Sequence, residues 1–122
     1  MPARSSPIRP GGRDSVDAKT CASCGRRIEW RKAWADDWEQ VRWCSQACRR
    51  RGFREADRRL EERILAAAER TRRLPLATVD GDREDVRRAA RRLAAAGQVR
   101  WTQKGHPVDP STARGDVEIA TI

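Results

Sequence analysis

Four cysteines in two short pairs, Cys21-Ala-Ser-Cys24 and, nineteen residues later, Cys44-Ser-Gln-Ala-Cys48, restrict this chain more than any other feature of its sequence. Two chelating pairs are what a closed tetrahedral metal site requires. Within each pair a tight turn or a first helical turn lets both sulfurs reach one ion at ~2.3 Å, and the intervening residues become a clamped loop. With 122 residues and 38% hydrophobic content the chain has room for one ordinary domain or two very small ones. A domain below roughly 70 to 80 residues generally needs disulfides, a metal or a partner to supplement its core. One structural zinc ion held by Cys21, Cys24, Cys44 and Cys48 is therefore the expectation. The alternatives are a redox CxxC, paired disulfides, unrelated buried thiols and an iron–sulfur centre; a thioredoxin-like use would want a βαβ context that TCASCGRRIEW does not offer.

The opening MPARSSPIRPGG has no apolar signal-like region, and no run approaches the ~18 apolar residues of a membrane span. A cytoplasmic protein is expected, in a compartment where thiolates persist and metal binding is the ordinary use of paired cysteines. Charge bears on partners: 27 Lys and Arg against 18 Asp and Glu give +9. Four thiolates around one divalent ion would lower this to about +7, still basic. Such a balance suits DNA, RNA or an acidic protein surface, because arginine offers a planar fork of donors for phosphate and carboxylate. No membrane partner and no small-molecule substrate is evident.

Composition divides the chain into three. Residues 1–19 read as a disordered basic arm carrying Arg4, Arg9, Arg13 and Lys19, too poor in apolar side chains to offset ordering entropy. Residues 20–52 hold all four cysteines and four of the five tryptophans and read as the zinc-binding module. Trp30, Trp34 and Trp38 are four apart, which places them on one side of a helix or a strand; Asp36 and Asp37 favour a turn, hence a hairpin across 28–43. These indoles either shield the metal as a mini-core or stack on a base or a partner. Ser45 sits where it can cap a helix carrying the second cysteine pair, with Gly52 interrupting it.

Residues 53–122 read as a helical unit ending in a β-hairpin. Phe53, Ala56, Leu60, Ile64, Ala67 and Ala68 recur at helical spacing to about Arg72, and LPLATV is a candidate strand. Asp82 can cap a second helix with Val86, Ala89, Ala90, Leu93 and Ala94 on its apolar face and Gly97 just past its end. Val99 and Trp101, then Val117 and Ile119, alternate with polar residues as two strands joined by KGHPVDPSTARG. The whole reads as α+β: a small treble-clef-like four-cysteine module followed by a reduced winged-helix-like unit.

The stretch TCASCGRRIEWRKAWADDWEQVRWCSQACRR resembles an uncharacterised bacterial zinc-binding family with a CxxCG, WRK, spaced-Trp and CSxxC pattern. The same knuckle is similar to that of the small zinc-containing DNA gyrase inhibitors, which implies a treble-clef fold and the four ligands but does not carry over gyrase binding. VRRAARRLAAAGQVRWTQKGHPVDPSTARG resembles a second uncharacterised bacterial family, implying a winged-helix-like fold. Between Arg72 and Asp82 a complete helix-turn-helix would hold another helix, where this chain has RLPLATVDG.

On a helical wheel Arg87, Arg88, Arg91 and Arg92 lie on the arc opposite the apolar face, and Arg100, Lys104 and Arg114 extend that basic surface along the loop. The expectation is a nucleic-acid-binding or regulatory accessory protein that makes phosphate contacts. The alternative is a protein–protein adaptor docking through Trp30, Trp34 and Trp38. Catalysis is not expected: His106, the single histidine, sits in a Gly-His-Pro turn without an evident nucleophile, and a four-cysteine zinc has no open coordination position.

Overall fold

The computed structural model describes residues 18–29 and 38–122. Its first hairpin pairs β1 (Ala18–Thr20) antiparallel with β2 (Arg27–Glu29), Lys19 lying opposite Ile28. The turn between them is the first cysteine pair. Gly25, at φ +79°, lets the chain reverse there, and Cys21 N–H donates to Arg26 O at 2.8 Å. Trp38–Gln40 form a single 3-10 turn. Ser45 then caps α1 (Gln46–Arg51), its hydroxyl accepting from the Cys48 N–H as expected, and Gly52 at φ +66° ends the helix.

Two expectations change here. Ala18 and Lys19, expected at the end of a disordered arm, belong to β1; the rest of that expectation, residues 1–17 with Arg4, Arg9 and Arg13, lies outside the described residues. The strand at Arg27–Glu29 takes β1 as its partner, and 38–43 contribute the 3-10 turn in place of a second strand of a 28–43 hairpin. Residues 30–37, which include Trp30 and Trp34, lie outside the described residues.

The second unit is built on α2 (Glu55–Arg70) and α3 (Arg83–Ala95). Asp82 caps α3 by accepting from the Asp85 N–H at 3.0 Å, and Gly97 at φ +79° follows its end. The helices cover a four-stranded antiparallel sheet of order β3-β6-β4-β5, where β3 is Leu74–Pro75, β4 Val99–Gln103, β5 His106–Pro107 and β6 Glu118–Thr121. Pro75, which has no N–H to give a ladder, sits on the edge strand, where none is needed. The rest of the LPLATV run closes into a 3-10 turn at Leu76–Thr78, with Thr78 Oγ1 donating to Pro75 O.

Leu60, Ile64 and Ala68 of α2 meet Val86, Ala89, Ala90 and Leu93 of α3 over Val99, Trp101, Val117 and Ile119. The periodicity of α2 overreaches at its start: Phe53 precedes the helix and is 43% exposed, and Ala56 faces solvent. A separate, smaller cluster is made by Cys21, Cys24 and Ile28, with Trp38, Val41, Trp43 and Cys48 against it. No helix among the described residues is long and apolar enough to cross a membrane.

Candidate metal centre

The knuckle between β1 and β2 supplies Cys21 and Cys24, both buried; the segment leading into α1 supplies exposed Cys44, and the first turn of that helix supplies Cys48. All four sulfurs lie within 4.8 Å of one another. Cys24 Sγ and Cys48 Sγ each lie 3.6 Å from Cys44 Sγ. A disulfide would hold the sulfurs at about 2.05 Å. Four sulfurs ~2.3 Å from a central ion at tetrahedral angles stand about 3.8 Å apart, close to the observed spacing. The backbone orients them: Cys44 N–H points at Cys21 Sγ, 3.3 Å away, and Ala22 N–H donates to Arg42 O, tying the knuckle to the second pair. The four cysteines could thus hold a metal ion, and the donor set and spacing fit one.

Without a cation the thiols cannot all ionise together. Cys21 is drawn down to about 4, chiefly by the hydrogen bond it receives from Cys24 and also by backbone N–H groups, against the opposing effect of burial. The same bond with Cys21 pushes Cys24 far up, with burial adding to it. Burial leads the rise of Cys44, followed by its contact with Cys48. At neutral pH Cys21 is therefore ready as a thiolate, whereas Cys24 and Cys44 must lose protons to an incoming ion. Displacing at least those two protons makes apparent affinity fall by at least about a hundredfold for each unit of acidification. Competition with a chromophoric chelator at successive pH values checks this; a flat profile between pH 8 and 6 would contradict it.

The arginines expected on an open face of α3 are turned inward. Arg91, only 2% exposed, donates from Nε to Cys24 O at 2.7 Å and from Nη2 to Glu84 at 2.8 Å. Arg92 pairs with Glu61 of α2 and donates from Nη1 to Ser23 O. Arg87, 8% exposed, donates to Gly115 O at 2.9 Å and Ala113 O at 3.1 Å and lies over the Trp101 ring. Burial, then the charges of Arg83 and Arg91, lower its pKa. Arg88 pairs with Asp85 at 2.9 Å and is the most exposed of the four.

The reason is the length of the side chain. Its stem fills space beside the apolar face while its fork finds carbonyls and carboxylates that discharge the cost of burial. Burial raises the Glu84 pKa, but the hydrogen bond from Arg91 and the charges of Arg91, Arg88 and Arg26 more than reverse it, so the carboxylate stays ionised beside them. Arg100 and Lys104, in contrast, are exposed as expected, as is Arg114. Trp38 is half-buried against the cysteine cluster, with Lys19 Nζ 5.0 Å from its ring centre. Its place is in the mini-core.

Several residues of this interface had no sequence signal. Ser23 and Cys24 act through backbone carbonyls. Gly25 has no room for a side chain: a Cβ there would lie 2.5 Å from Arg91 Cβ and 2.7 Å from Arg92 N. The Gly after the second cysteine was the one available sign of a close approach.

Residues 13–51 match the family described as "Uncharacterized protein conserved in bacteria (DUF2256)", and residues 82–121 match "Protein of unknown function (DUF3253)". Two uncharacterised domains are joined in this chain. No curated protein matches it. The DUF2256 match contains every cysteine and ends with Arg51, the last residue of α1. The DUF3253 match starts at Asp82, the cap of α3, and ends with Thr121, the last residue of β6. The intervening α2 lies in neither, yet supplies Leu60, Ile64 and Ala68 to the core beneath α3.

Proposed function

We propose that this is a small, non-catalytic zinc-binding protein, treble-clef-like in its N-terminal module, that serves as an accessory factor on nucleic acid through phosphate contacts. The observation that carries the metal part is the convergence of four sulfurs from two chain segments at the spacing of a tetrahedral site. Zinc is the ion that four cysteines in closed tetrahedral geometry suit best. Its role is structural: a four-thiolate shell leaves no position for substrate.

The nucleic-acid part rests on charge that the fold leaves unused. Of the cations expected to make contacts, Arg87, Arg91 and Arg92 serve the interior, whereas Arg100, Lys104 and Arg114 are exposed and have no ion pair among the described residues. Lys104 and Gly105, at φ +53° and +84°, are the two central residues of the tight turn joining β4 to β5, which puts the Lys104 cation at the tip of a small wing. Arg100 is exposed on β4, and the Arg114 carbonyl accepts at 2.6 Å from Nε2 of Gln103, the last residue of that strand. A reduced winged-helix-like reading is supported by the two helices and this small wing, with β3 set between α2 and α3.

The expected result is duplex binding whose log affinity falls against log salt concentration, with these three residues accounting for a slope of about −3. Arg100→Ala, Lys104→Ala and Arg114→Ala combined reduce the slope by about that amount while metal content stays unchanged. Absent or salt-independent binding would reject the nucleic-acid reading.

A further inference from the structure

The two apolar clusters do not merge, so the joint between the modules is polar in the described residues. At its centre Arg91 and Arg92 of α3 reach the carbonyls of Cys24 and Ser23 in the knuckle turn. We propose that the metal centre is a latch on α3: the turn presents those two carbonyls to the arginines only while its sulfurs hold an ion, and loss of the ion frees Arg91 and Arg92 into solvent. This rests on the metal reading above.

Three observations carry it. Cys24 holds both jobs, its sulfur in the four-cysteine cluster and its carbonyl on Arg91 Nε, so the ligand cannot turn without moving the acceptor. Gly25 packs with its Cα against Arg91 Cβ and the Arg92 backbone closely enough to exclude a methyl group, so a small reorientation of the turn breaks the fit. The third is charge. Among the described residues the one carboxylate paired with Arg91 is Glu84, itself 45% exposed on its side chain, whereas Arg91 is 2% exposed. With that carboxylate half in solvent, the buried Arg91 cation depends on the Cys24 carbonyl to keep its place in the joint.

The joint also holds little in reserve. Among the described residues Ser23 Oγ and Arg92 Nη2 are buried without a partner, which disfavours the docked arrangement. The remaining links are peripheral: Arg51 to Asp85 at 2.5 Å, Arg27 to Asp109 at 3.1 Å, and Arg27 N–H to Ser111 Oγ at 3.0 Å. They tether the modules without covering Arg91. Exposure of two α3 cations thus depends on metal supply.

The test is arginine labelling of the full chain by a dicarbonyl reagent, read residue by residue by mass spectrometry. The zinc-loaded protein is compared with protein stripped by a chelator under reducing conditions, with removal verified by metal analysis. Arg91 and Arg92 are expected to label about tenfold faster or more once zinc is gone. Arg87 is the internal control, because carbonyls of its own module, Ala113 and Gly115, hold it. One zinc per chain with Arg91 still shielded after stripping would overturn the latch and leave the metal reading standing. Arg87 labelling in step with Arg91 would also overturn it, since the second core would then have unfolded. A chain that takes up no metal would overturn both.

Discussion

Cys44→Ser is expected to cost the chain its metal and the N-terminal module its fold, while the α2–α3–sheet core survives. Cys44 Sγ is the vertex 3.6 Å from two other sulfurs, and a serine hydroxyl neither ionises at neutral pH nor binds zinc comparably. Among the described residues the buried cluster of the module is small: Cys21, Cys24 and Ile28, against which four partly buried residues pack. Binding worth about 10 to 16 kcal/mol in zinc-finger peptides dominates so small a unit. Loss of one of four ligands should reduce affinity at least about a thousandfold, roughly 4 kcal/mol. Metal content after purification and tryptophan fluorescence measure the two halves of this result. A Cys44→Ser protein that keeps one equivalent of zinc, with unchanged fluorescence, would contradict it.

Trp101→Ala is the second large effect, and it falls on the other core. The indole is 2% exposed on β4, its Nε1–H donates to Ala90 O at 3.1 Å, and the Arg87 guanidinium lies 5.4 Å from its ring centre. Truncation removes the largest fully buried side chain among the described residues and strips a buried cation of the ring that covers it. The expected loss is about 3 to 5 kcal/mol, a large share of the 5 to 15 available to an ordinary domain. Trp101→Phe, which keeps most of the volume and loses the N–H, should cost less. Denaturant midpoints report both; a Trp101→Ala loss under about 1 kcal/mol would contradict the assignment of this residue to the centre of the core.

How much of this was legible beforehand depended on whether side chains or backbone carried the signal. The convergence of the cysteine pairs, the Ser45 and Asp82 caps, Gly52 and Gly97, and the alternation of Val99 and Trp101 are written in side-chain chemistry at fixed spacing, and the structure has each where expected. The α3 arginines were misplaced because a helical wheel ranks residues by polarity and is blind to acceptors. Those of Arg87, Arg91 and Arg92 are in large part carbonyls, of Ala113, Gly115, Cys24 and Ser23, brought close only by tertiary folding. A long stem and five donors make arginine the charged residue for which that error is easiest.

The same limit explains the hairpin. The spacing of Trp30, Trp34 and Trp38 suited a helix or a strand alike, and Asp36 and Asp37 favoured a turn and so a 28–43 hairpin, but the partner of Arg27–Glu29 is the short β1, whose Ala-Lys-Thr has too little apolar content to announce a strand. The Phe53 to Ala68 periodicity was right about the helix and wrong about its first turn, because Phe53 lies beneath the Arg92 guanidinium, 5.0 Å from its ring centre, outside the α2 core. The joint between the modules left one sign in the sequence, Gly25, whose missing side chain marks a close approach without reporting what presses on it.

The claim on which the rest depends is that Cys21, Cys24, Cys44 and Cys48 share one ion. X-ray absorption at the zinc edge of the purified, unoxidised chain, together with metal analysis, tests it most directly. The predicted result is one equivalent of zinc per chain with four sulfur scatterers at ~2.3 Å and no nitrogen or oxygen in the shell. Substoichiometric zinc after loading, or a shell containing light-atom ligands in place of sulfur, would contradict it.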